Sequence, residues 1–190
     1  DLEAVIVVGE IDPAKIQALI EAKFADLKNP ASERAKTPGG VPEAKGTRVS
    51  IETDPEATQT QVEIYNTFAH RPEATEKDFR RSLRDRLYQT MLGQRLDTIQ
   101  QRPSAPFVWA GSSTYDLNRE AEAANGYAGV KDGKVEEALA ALFEEVLRVE
   151  RHGFLAPELE RAKKRLLRSA RQQVKEVGKE DGQALIQEIL

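Results

Sequence analysis

The chain has 190 residues, no cysteine and a net charge of −4, with 39% hydrophobic and 32% charged residues. That length fits one ordinary domain, or a domain plus a piece of another. The lack of cysteine excludes disulfides, thiol catalysis and cysteine-ligated zinc inside this chain, and the net negative charge argues against a nucleic-acid partner. No apolar run approaches the length of a membrane span, so no membrane association is expected.

Glu3 to Ile11 reads as a first strand, because Val5, Ile6, Val7 and Val8 form the continuous apolar run of a strand covered on both faces. Asp12 suits a helix N-cap and Pro13 the first helical position. A helix to about Leu27 follows, with Ile16, Leu19, Ile20, Phe24 and Leu27 on one side. Residues 29–46 carry three prolines, three glycines and no periodicity, which marks a linker and the best domain boundary. Thr47 to Thr53 and Thr60 to Phe68 read as two strands joined by the Asp54-Pro55-Glu56 turn.

Thr75 to Pro103 is the long amphipathic helix around which the rest is arranged. Phe79, Leu83, Leu87, Met91, Leu92, Leu96 and Ile99 recur at three- and four-residue spacing, and Thr75 can cap the start. Phe107 to Leu117 reads as a strand. Ala121 to Val130 is a weaker one, since alanine and glycine are poor strand formers. Helices follow over Lys134 to His152, with Val135, Leu139, Leu142, Val146 and Val149 inward, and from Pro157 to Gly178. A last helix begins near Asp181. Paired strands with short connections imply an α+β fold, a mixed or mostly antiparallel sheet with helices packed on one face. The chain opens and closes on apolar patterns, so it reads as a fragment of a longer protein.

Motifs that carry chemistry are mostly absent from the sequence. There is no His-x-x-Glu-His or its inverse, no Walker loop, no Gly-x-Gly-x-x-Gly and no nucleophile elbow. His70 follows a strand beside Arg71 and Pro72, where a structural or solvated role outweighs general-base or ligand duty; His152 suits a helix C-terminus. The run Arg161, Lys163, Lys164, Arg165, Arg168 and Arg171 is interleaved with Glu158 and Glu160 and reads as a salt-bridged helix surface. Ser112, Ser113, Thr114 and Tyr115 have no base to activate them. Phe107, Trp109 and Tyr115 share a strand face by their odd numbering. Core packing beneath the long helix is the favoured reading of the three, and a substrate groove for an extended peptide is the competing one. No catalytic or metal-ligating residue is expected.

The ordered series of elements resembles the pitrilysin/insulinase family of zinc metallopeptidases (inverzincins). VIVVGEIDPAKIQALIEAKFADL is similar to that family's strand-turn-helix through Val7, Val8, Gly9, Asp12, Pro13, Phe24 and Leu27, with Glu10 in place of the usual aspartate. QTQVEIYNTF resembles a family strand. LYQTMLGQRLDTIQQ resembles a family helix through Leu87, Leu92, Arg95 and Leu96, and FLAPELERAKKRLLRS another through Leu155, Glu158, Leu159, Ala162 and Lys163. Because both motif histidines are missing, the resemblance implies the inactive second module of a bacterial member. Residues 1–36 would close the preceding catalytic-type module, or start this one, and residues 37–190 would form the inactive one. The resemblance further implies no cofactor in this chain, zinc elsewhere in the parent, and neighbouring modules and a peptide substrate as partners. It implies a periplasmic location, or alternatively a cytoplasmic one. The rival implication is a non-peptidase structural or peptide-binding subunit of the same fold.

Overall fold

The computed structural model describes residues 5–28, 31, 32, 35, 41 and 45–177. The chain divides into two compact units, residues 1–37 with 168–190, and residues 38–167. In the first, α1 spans Pro13–Phe24. Its start follows the sequence: Asp12 Oδ1 accepts from the backbone N–H of Ala14 at 3.1 Å and of Lys15 at 3.4 Å. No residue of α1 is buried.

The second unit holds β1 (Thr60–Ala69), α2 (Glu76–Gln100), β2 (Phe107–Asn118), β3 (Ala121–Val130), α3 (Val135–His152) and the start of α4 (Ala156–Glu176). The strands form one antiparallel sheet in the order β1-β3-β2. This is the expected α+β architecture. Ala121 to Val130, the poorest strand by composition, is the central one. Propensity yields here to packing, because a middle strand of small residues lets bulky neighbours close over it. Ala123 and Ala128 are fully buried.

The long helix begins where Thr75 caps it. Asp78 N–H donates to Thr75 Oγ1 and Thr75 N–H donates back to Asp78 Oδ2 at 3.1 Å, a reciprocal capping box. Its apolar stripe buries Met91, Leu92 and Leu96, while Phe79 at the N-terminal end is 49% exposed. Leu92 and Leu96 of α2, Phe107, Ala128 and Val130 of the sheet, and Ala138 and Leu142 of α3 make the core, with Val62 and Ile64 of β1 packed on it. Both helices therefore cover the same sheet face. Burying Leu96 and Phe107 contributes roughly 1.5–3 kcal/mol each.

Three expectations are corrected. Val5 to Ile11 is not a strand, nor is Thr47 to Thr53. Val49 and Ile51 are 80% and 83% exposed. An alternating pattern makes a strand only when a partner satisfies its backbone groups, and neither segment has one among the described residues. The inward stripe of α3 is Ala138, Leu142, Glu145 and Val149, whereas Val135 and Val146 are largely exposed. Small Ala138 permits close approach to the sheet, and Glu145 turns inward toward Arg95. The start of the first strand, most of the linker, Gly178 and the helix near Asp181 lie outside the described residues.

Candidate functional site

The sheet face turned away from α2 and α3 is set by one irregularity. Phe107 pairs with Val130 and Trp109 with Gly129, so Val108 is an extra residue in β2. Such a bulge breaks the alternation of side chains. Phe107 falls on the helix side, with no exposed surface. Trp109 and Tyr115, opposite Gly129 and Ala123, fall on the other side. The three aromatics do not share a face. Odd numbering fails as a guide because it assumes an unbroken strand.

On that outer face large and small residues alternate across the β2–β3 pair. Trp109 lies over Gly129, where an added Cβ would collide with the indole; a Cβ on Gly111 would come within 2.6 Å of the Tyr127 hydroxyl. The two rings meet at 5.9 Å, tilted by 56°. Tyr65 of β1 and Tyr115 of β2 share this side, 53% and 38% exposed. The result is an aromatic, partly exposed sheet face.

The hydroxyl run is spent on structure. Ser112 donates to Gln89 Oε1, and Gln89 Nε2 donates to Thr114 Oγ1 at 2.9 Å, which ties β2 to α2. Ser113 points the other way and bonds Asn125. None has a histidine as base. His152 is exposed at the end of α3.

Arg95 sits under the α3–α4 turn. Its Nε and Nη2 reach the two oxygens of Glu158 at 2.7 and 2.8 Å, and Nη2 also donates to the Gly153 carbonyl at 3.2 Å. The guanidinium stands 4.9 Å from the centre of the Phe154 ring, which meets Tyr88 edge-on at 5.6 Å. The side-chain bonds from Arg95 hold the Glu158 carboxyl down at about 2, against the opposing effect of burial. Among the described residues Nη1 has no hydrogen-bond partner, and Glu145 lies 3.8 Å away.

A second polar cluster lies at one end of the sheet. Asp116 and Glu122 are direct partners across β2 and β3. His70, just past β1, places Nδ1 3.1 Å from Asp116 Oδ1 and 3.8 Å from Glu122 Oε1. One donor atom from each of the three lies within 4.8 Å of the others. The backbone holds His70 there, its N–H bonded to the Glu120 carbonyl at 2.8 Å. Arg71 grips Glu122 through Nη2 at 2.6 Å, Nε at 3.0 Å and its own backbone N–H at 2.5 Å. Burial raises the Glu122 carboxyl, and the Arg71 hydrogen bonds outweigh it, so the net shift is downward. Sequence reading singled out His70 but missed its partners. A lone glutamate in an Ala/Gly strand was the available signal.

The family model of the Peptidase M16 inactive domain matches residues 4–166. No curated protein sequence matches the chain. Among solved structures, the chain is similar to the periplasmic protease PqqL from Escherichia coli, with a TM-score of 0.71 and 21% identity over 93% of this chain and 20% of that one. It is similar to the first half of PqqL solved separately, at 0.70 and 20% over 93% and 38%. It is also similar to a predicted insulinase family protease from Yersinia pestis, at 0.71 and 13% over 95% and 39%. The chain thus spans a fifth to two fifths of these structures, and at such identities the likeness is one of fold. With the family model covering most of its length, this chain belongs to the M16 (pitrilysin/insulinase) peptidase family, as the inactive domain of that family.

Proposed function

We propose that this chain is the non-catalytic module of a bacterial zinc metalloendopeptidase and lines part of its peptide chamber. The observation that carries this reading is the outer sheet face, where Trp109, Tyr127, Tyr65 and Tyr115 present aromatic surface from all three strands. Flat, half-exposed rings suit an extended peptide of varied sequence, since they offer apolar contact with little demand on side-chain identity. Of the residues proposed for the groove, Trp109 and Tyr115 stand on this face, and Phe107 supports it from the core.

The peptide bond would be cut elsewhere in the same polypeptide, where a zinc ion held by His-x-x-Glu-His supplies an activated water. Residues 1–36 close the preceding module or open this one, and residues 37–190 form the inactive module. The partners are the neighbouring modules and the peptide, and the compartment is the periplasm. Structural neighbours that are halves of longer protease chains, one of them periplasmic, support this placement.

The test uses the parent polypeptide. Trp109→Ala is expected to raise KM for an extended peptide several-fold, with zinc content and kcat nearly unchanged. An unchanged KM removes the chamber-wall role. A parent without the zinc motif, without zinc and without peptide cleavage makes the chain a structural or peptide-binding subunit instead.

A further inference from the structure

We propose that His70, Asp116 and Glu122 form a binding site for one divalent transition-metal ion of the zinc class. The three donors come from the end of β1, the end of β2 and the start of β3. An ion here clamps all three strands at one edge of the sheet.

Asp116 and Glu122 stand directly opposite each other on paired strands. Like charges in that register oppose strand pairing. Arg71 offsets one of them, through Glu122, and a further carboxylate, Asp85, lies 3.1 Å from the same guanidinium. Three carboxylates thus gather around one guanidinium, an excess of negative charge that a cation at the shared point offsets.

One imidazole nitrogen and two carboxylate oxygens make a mixed N/O set, which suits zinc, cobalt or manganese better than the all-oxygen cages of calcium or magnesium. A tetrahedral ion with bonds near 2 Å spaces its ligands roughly 3.3 Å apart. His70 Nδ1 is already 3.1 Å from Asp116 Oδ1 and 3.8 Å from Glu122 Oε1. Closing the set needs His70 and Glu122, now 3.8 Å apart, to approach slightly and Asp116, whose side chain is 67% exposed, to turn toward them. Water fills the fourth position.

Glu122 has 9% of its side-chain surface exposed and is held at both oxygens by Arg71, the guanidinium on Oε2 and the backbone N–H on Oε1, which fixes Oε1 3.8 Å from His70 Nδ1 with one lone pair still open to a cation. Metal ligands held in this way by outer hydrogen bonds need little reorganisation to bind.

The chain has only two histidines, His70 and His152, which makes the experiment decisive. The protein is titrated with Co²⁺ at neutral pH, uptake is read from visible absorption, and the ion is then displaced with Zn²⁺. The expected result is one site per chain, weakened at least about tenfold by His70→Ala and by Asp116→Asn, as ligand loss requires, and unchanged in His152→Ala. Added Zn²⁺ raises Tm in the parent sequence and in His152→Ala only. Asp116→Asn also relieves the charge repulsion, so without metal its Tm does not fall, which separates a lost ligand from a damaged fold. No saturable uptake, or uptake that survives His70→Ala, overturns the proposal.

Discussion

Arg95 of α2 and Glu158 of α4 meet as a two-pronged ion pair at 2.7 and 2.8 Å. Each stands in one of the two helical stretches that carry the family resemblance. The match along the sequence is thus a contact in space. Glu158 Oε2 also accepts the Leu155 N–H at 2.7 Å, so the pair fixes how α4 begins as well as where it docks.

Removing this pair tests its contribution. Both side chains are mostly buried, 16% and 12% exposed. Arg95→Ala leaves the Glu158 charge without its partner and is expected to cost about 3 kcal/mol in chemical denaturation. Arg95→Lys keeps the charge but cannot supply the parallel fork, and recovers less than half of that loss.

The same pair sets an acid limb. Glu158 has a folded value of about 2 against an ordinary 4.5. Between those values the unfolded chain binds the proton and the folded chain does not, so stability rises with pH there. The contribution is complete above about pH 5 and is lost as pH falls toward 2. Glu122, also shifted down, adds in the same direction. Glu158→Gln should flatten the fall in Tm across that window, and an unchanged slope would count against the assignment.

The outer face predicts a compensating pair. Gly129→Ala places a methyl against the Trp109 indole, and overpacking of this kind costs about 1–3 kcal/mol. Trp109→Ala removes the ring, and the remaining neighbour at 2.7 Å, the end of the flexible Gln59 side chain, can swing aside. The double variant should be clearly more stable than the sum of the two singles predicts, as measured by a double-mutant cycle in urea.

Exposure separates two segments that look alike as sequence. Leu96 is 2% exposed, and Leu96→Ala should cost about 3 kcal/mol. Ile51 is 83% exposed, and Ile51→Ala should change stability by less than about 0.5 kcal/mol. A large loss at Ile51 would mean that Thr47 to Thr53 pairs in solution after all.

Local signals carried much of the fold. Asp12-Pro13 and Thr75 with Asp78 mark helix starts that the backbone adopts, since a cap acts within one turn. Ala121 to Val130 has the bounds its flanking turns suggest. What could not be read depends on partners far along the chain. Thr47 to Thr53 alternates well but lacks a neighbour. The stripe of α3 is displaced because Arg95, forty residues earlier and more, draws Glu145 inward. Asp116 and Glu122 lie six positions apart, yet only the hairpin register sets them face to face with His70 between.

The extra residue at Val108 has a consequence for how relatives are compared. Phe107 and Trp109, two positions apart, serve opposite sides of the sheet because of it. A relative that gains or loses one residue at this point exchanges inside for outside at the start of the strand. Column-by-column matching would then set a core residue of one protein against a surface residue of another. In this stretch, alignments are better anchored on the strand partners Val130 and Gly129 than on the aromatic letters themselves.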